Sequence, residues 1–210
     1  MRRRLAPLLC LLLLPGVPVD GAAGVFPEGP FSDKAAGTTG AAFLKIPTSA
    51  RAQALGSAFV AAVDNSESMF WNPAGLARFE EQGESELSFG YSALLETSYA
   101  GTVGYARPFA NGRGVLGAAF VYFSQASIQG FNTLGNPDGS FTPNDLAFSV
   151  YYAKKFERLS LGGGLKFLRS ELADVSGSSF AVDFGIQSRR VFDLGEGAVD
   201  LGASIRNLGP

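Results

Sequence analysis

The 210-residue chain has no histidine and one cysteine, Cys10. Without histidine, neither a histidine general base nor a Ser-His pair can be assembled from these residues. Histidine-bearing zinc sites and cysteine nucleophiles fail for the same want of ligands. The expectation is a protein without enzymatic activity, with no catalytic, cofactor-binding or metal-ligating residues and no cofactor. Charge is scarce too: Asp, Glu, Lys and Arg make up 17% of the chain, against about 25% in an ordinary soluble domain. No basic cluster follows Arg4, and phosphate binding needs concentrated Lys and Arg, so a nucleic-acid partner is excluded. Long apolar runs are missing as well. The only candidate, LAPLLCLLLLPGVPV, is too short and too broken by proline to span a bilayer.

That run follows Met1-Arg2-Arg3-Arg4, and the pair reads as a secretory signal peptide cut near Ala23. Cys10 would leave with residues 1–23, so it is neither a lipidation site nor a disulfide partner. Residues 24–40 are rich in Gly, Pro, Ser and Thr without periodicity, an irregular lead-in. Residues 41–80 are the one helix-like region, with Ala52, Leu55, Phe59 and Ala62 recurring at intervals of three and four. Gly56 weakens that helix, and Ala58 to Val63 reads equally as a short buried strand.

From residue 81 onward the period becomes two. Leu87, Phe89 and Tyr91 alternate with Glu86, Ser88 and Gly90, and Tyr99, Val103 and Tyr105 with Thr102, Gly104 and Ala106. Val115 to Gln125 is apolar on both faces, which leaves its register open. Three further strands set Leu146, Phe148, Val150 and Tyr152, then Leu161, Leu165 and Phe167, then Phe180, Val182, Phe184 and Ile186 against small or polar partners. In the last, Val199, Leu201 and Ile205 oppose Asp200, Gly202, Ser204 and Arg206. Seven strands are predicted. ANGRG and ERLS make short connections; SIQGFNTLGNPDGSFTPND makes a long loop and LADVSGS a medium one.

Short turns at one end and longer loops at the other describe an antiparallel transmembrane β-barrel. A soluble secreted β-sandwich shows the same alternation, yet its polar face would carry Lys, Glu and Thr, whereas here that face is Gly, Ala and Ser. Tyr91, Tyr99, Phe109, Phe123, Tyr152 and Phe156 lie near strand ends, where interfacial girdles form. The smallest common barrels need eight strands, so residues 81–210 are expected to be an incomplete wall, with the chain continuing beyond Pro210.

The stretch SESMFWNPAGLA precedes every strand. Asn72 is a good N-cap, Pro73 suits the first helical position, and Gly75 permits close backbone approach. With Phe70, Trp71 and Leu76 they would form a rigid wedge, a plug inside a barrel wall. Together with AAFLKIPTSARAQALGSAFVAAVDNSESMFWNPAGLA, and more loosely NDLAFSVYYAKKF, LSLGGGLKFLRSEL and LGASIRNLGP, this stretch resembles the PorV/PorQ family of outer-membrane barrels, relatives of FadL-type transporters. The resemblance implies a FadL-like barrel of the bacterial outer membrane, embedded in lipid, with residues 41–80 as a hatch in the lumen. It implies either association with secretion-system proteins and exported cargo of a type IX kind, or passive passage of hydrophobic small molecules. Trp71, Asn72, Pro73, Ala74, Gly75 and Leu76 are then hatch residues, structural or gating. Glu86, Lys166, Asp183, Asp200 and Arg206 are expected to point into the lumen, as a structural network or a substrate pathway. Asn136-Pro137-Asp138-Gly139-Ser140 supplies too few carboxylates for a calcium loop and reads as a surface turn.

Overall fold

The computed structural model describes residues 40–47, 49–110, 112–194 and 197–209. The signal peptide and nearly all of the lead-in lie outside the described residues.

Seven strands form one antiparallel sheet, half of a barrel wall: β1 (Glu86–Ala93), β2 (Tyr99–Pro108), β3 (Val115–Ser124), β6 (Asn144–Phe156), β7 (Leu159–Leu172), β8 (Val175–Leu194) and β9 (Gly197–Leu208), in that spatial order. β4 (Ile128–Phe131) and β5 (Pro137–Phe141) pair separately as a small hairpin between β3 and β6. The large strands therefore make one layer, not the two facing layers of a sandwich.

The alternation sorts residues in the sense opposite to a soluble sheet. Large apolar side chains stand on the open face, with Phe89 at 74%, Phe180 at 68% and Ile205 at 63% exposure. The covered face is small or polar. One row across it reads Ser88, Gly104, Ala119, Ser149, Lys166, Ala181, and another reads Val115, Ala153, Gly162, Gly185, Ser204. The register left open in β3 is settled by the same rule: Val115, Gly117, Ala119 and Val121 face inward, Leu116 and Phe120 outward. Such an outer face is what a hydrocarbon environment stabilises.

Residues 41–47 and 49–82 lie against the inner face and include a series of short helical turns: a 3-10 turn at Ala42–Lys45, α1 (Ala50–Ala54), α2 (Ser68–Trp71), a 3-10 helix at Pro73–Arg78 and α3 (Phe79–Gln82). The core is the seam between these turns and the wall. Met69, Leu76 and Phe79 pack with Ala106, Val115, Ala119 and Tyr151, while Phe43 packs with Val121, Ala147, Leu168 and Ala181.

Several sequence expectations need correction. The single helix through Ala52, Leu55, Phe59 and Ala62 is replaced by α1 alone, because Gly56 and Ser57 take positive φ and turn the chain. Leu55 is left 48% exposed, whereas Phe59 is fully buried beyond the turn. The 136–140 segment is not a turn. Pro137–Phe141 is β5, and the turn lies before it, where Asn132 Oδ1 accepts from the backbone N–H groups of Leu134 and Asn136. LADVSGS is not a loop either, since β7 and β8 run on to a turn at Ala173 and Asp174. Phe123 belongs to the inner face, against the Phe43 cluster, and so is no part of an outer girdle. Tyr91, Tyr99 and Tyr122 do form a contiguous aromatic ladder, with ring centroids 6.1 and 6.0 Å apart.

Candidate functional site: the seam between hatch and wall

Asn72 ends α2 and starts the 3-10 helix at Pro73, and its extended backbone (φ −153°) is what an N-cap needs. Its Oδ1 accepts from the Ala74 N–H at 3.1 Å. The amide nitrogen donates outward in two directions, to the Val60 carbonyl of the hatch at 2.9 Å and to the Ile186 carbonyl of β8 at 3.0 Å. One fully buried side chain thus caps a helix, ties two hatch segments together and fixes both to the wall.

The wall receives this turn in glycine-lined hollows. A Cβ on Gly162 would lie 2.3 Å from the Pro73 carbonyl carbon, one on Gly185 2.0 Å from Asn72 Oδ1, and one on Gly202 2.7 Å from the Ala61 Cα. Gly104 and Gly117 give the same room to Met69. Within the hatch, Gly75 lies so close to Ser68 and the Val63 carbonyl that no side chain fits. Pro73, Ala74 and Leu76 are buried in this seam.

Polar side chains of the wall complete the fastening. Gln187 donates to the Ala61 and Val63 carbonyls at 2.6 and 3.1 Å, and Ser204 to the Trp71 carbonyl at 2.9 Å. Glu86 accepts from the Ser66 N–H and hydroxyl at 3.0 and 2.6 Å. In the reverse sense, hatch residue Glu80 accepts from the Gly114 and Lys155 N–H groups at 2.7 and 2.8 Å. Alternation put Gln187 and Ser204 on the inner face without marking them as fasteners. Nothing in the pattern around Glu80 distinguishes it from its exposed neighbour Glu81. The hydrogen bond from Lys155 holds the Glu81 carboxyl below its ordinary range.

The predicted inward charges separate into groups. Asp183, fully buried, accepts from Lys166 at 2.8 Å, from the Tyr151 hydroxyl at 3.0 Å and from the Asn207 N–H at 2.7 Å. The last bond depends on a bulge between β8 and β9, where Asn207 has φ +58°. Arg206 donates to the Phe70 carbonyl and stacks over Trp71, 5.4 Å from the ring centroid. Lys166, Asp183 and Arg206 are therefore brought together, and Glu86 lies apart at the Ser66 end of the hatch. Asp200 shares the face of Gly202 and Ser204: its carboxylate accepts from the Arg190 N–H at 2.8 Å beside a second bulge, and it lines a pocket with the hatch residues Arg78 and Glu81.

Breaking the buried pair from one side strands a charge, which typically costs about 3–5 kcal/mol. Asp183→Ala is expected to lower the unfolding midpoint in detergent strongly. The double variant Lys166→Met/Asp183→Asn should recover part of the loss. Equal loss in both variants would show that the charge is not what matters.

An inward-small, outward-apolar half-barrel with a docked internal hatch defines this chain as a barrel-wall protein carrying its own plug. The family model described as type IX secretion system protein PorV matches residues 30–210, and the chain belongs to that family. No match is found among curated proteins.

Proposed function

We propose that this chain is a non-enzymatic component of an outer-membrane β-barrel that serves type IX protein secretion, with secretion-system proteins and exported cargo as its partners. The family match carries the secretion role. Support for the membrane setting comes from the exposed apolar face, with Phe89, Phe148, Leu165, Phe180, Phe184 and Ile205 all at least half exposed. A soluble protein rarely presents so large a contiguous apolar patch. Support for the non-enzymatic part of the reading comes from the seam, where the buried amides of Asn72 and Gln187 are spent on backbone carbonyls.

The test is to tag the full chain in its native cell, separate inner from outer membranes and purify the detergent-extracted protein. Recovery in the outer-membrane fraction with secretion-system proteins, and accumulation of exported proteins inside cells lacking the gene, is the expected result. Normal export in those cells, with impaired uptake of hydrophobic compounds, would favour passive transport instead.

A further inference from the structure

The charges of the outer face are distributed unequally between its two ends. At the end carrying the β4–β5 hairpin, Arg169 and Glu171 of β7 pair with each other at 2.7 Å. At the short-turn end stand Arg107 on β2, Arg113 in the turn to β3 and Lys154 on β6, and none of these forms an ion pair among the described residues. Arg107 continues the exposed row of Val103 and Tyr105, and Lys154 lies 5.6 Å from the ring centroid of the exposed Phe156. Arg113 is held in place through its carbonyl, which accepts from the Tyr152 hydroxyl at 2.6 Å. The carboxylates of this end are engaged on the inner side. Glu80 accepts from the Gly114 and Lys155 N–H groups, Glu81 pairs with the Lys155 ammonium, and Glu157 lines a pocket with Glu81. A second observation is independent of charge. Ala118 is small where Leu116 and Phe120, its neighbours on the same face of β3, are large, and a hollow of about 470 Å³ opens there. Tyr105, Pro108, Phe109 and Leu116 wall it, and Arg107 is the one charged residue in its lining.

We propose that this hollow and its three neighbouring cations form a binding site for one anionic phospholipid of the periplasmic leaflet, the leaflet that short turns face in outer-membrane barrels. The inference rests on the membrane setting proposed above and goes beyond it, since a wall in contact with lipid need not distinguish one lipid from another. The phosphate diester would take the Arg107 guanidinium, whose planar fork presents paired donors to phosphate oxygens. Arg113 and Lys154 would add attraction, and an acyl chain would lie over Ala118 between Tyr105 and Leu116. Cations without a carboxylate beside them favour a head group of net negative charge over a zwitterionic one. At the hairpin end the Arg169–Glu171 pair is balanced and offers no such preference.

The full chain would be reconstituted in phosphatidylcholine bilayers containing a trace of phosphatidylglycerol or of phosphatidylcholine with a diazirine in the acyl chain. Irradiation, digestion and mass spectrometry then map the crosslinks. The expected result is that phosphatidylglycerol labels residues 105–110 and 116–118 about fivefold or more above the phosphatidylcholine probe, an excess concentrated on β2 and β3. Arg107→Gln/Arg113→Gln should bring the two probes to near parity there. Neither side chain has an ion pair to lose, and heat-dependent gel migration verifies that the variant folds. The control Arg169→Gln/Glu171→Gln removes a balanced pair from the other end and should leave the excess unchanged. Equal labelling by the two probes, an excess spread evenly over all the strands, or an excess that survives Arg107→Gln/Arg113→Gln would overturn the site and leave the membrane setting standing. Absence of labelling from every outer-face residue would remove both.

Discussion

Gly162→Ala is expected to release the hatch from the wall. The added methyl would meet Pro73 and Ala74 backbone atoms at 2.3 to 2.5 Å, and backbone held by the Asn72 cap cannot swing aside as a side chain would. Overpacking of a tight core typically costs 1–3 kcal/mol, and here the clash is with main chain, so a loss of about 3 kcal/mol or more follows. Gly185→Ala should behave alike, since its methyl would fall 2.0 Å from Asn72 Oδ1. Gly177→Ala, on the same strand as Gly185, is the control: nothing lies within 4 Å, and the change should stay within about 0.5 kcal/mol. Folded fraction by heat-dependent gel migration, with limited proteolysis of residues 41–82, reads the outcome. Full protection of the hatch in Gly162→Ala would show that the seam is looser than its geometry.

Asn72→Asp should be worse than Asn72→Ala, although Asp is nearly isosteric with Asn. Alanine removes the cap, worth about 1 kcal/mol, and leaves the Val60 and Ile186 carbonyls without their buried donor, at about 1–3 kcal/mol each. Aspartate retains the cap to Ala74 but points a second acceptor, and a charge, at those two carbonyls. Both variants should lower folded yield. Normal yield in Asn72→Ala with altered secretion or uptake would transfer the residue from locking the hatch to gating.

The strands were legible because their physics is local. Period-two alternation placed all seven, and the Gly, Ala and Ser composition of one face announced something packed against it. The capped turn at Asn72 was legible for the same reason, since cap, Pro at the next position and 3-10 helix follow one another in sequence. What the pattern could not carry was pairing at a distance. That Asn72 reaches Ile186, or that Gly162 receives Pro73, depends on how the hatch lies across the wall. Glu80 looks like any surface glutamate until Gly114 and Lys155 present their N–H groups to it. The β4–β5 hairpin was hidden because Pro137, Asp138 and Gly139 are weak strand formers, held there by pairing with β4.

The most direct test of the account is which face of the sheet meets lipid. With Cys10→Ala as background, spin labels on single cysteines would be placed at Phe89, Leu165 and Ile205 on the outer face and at Ala119, Ala147 and Ala181 on the inner. In reconstituted bilayers the outer labels should be relaxed by oxygen dissolved in the hydrocarbon and shielded from a water-soluble nickel chelate, while the inner labels, packed under the hatch, should be shielded from both. Outer labels fully accessible to the chelate would contradict the account, because the apolar face would then be turned to water.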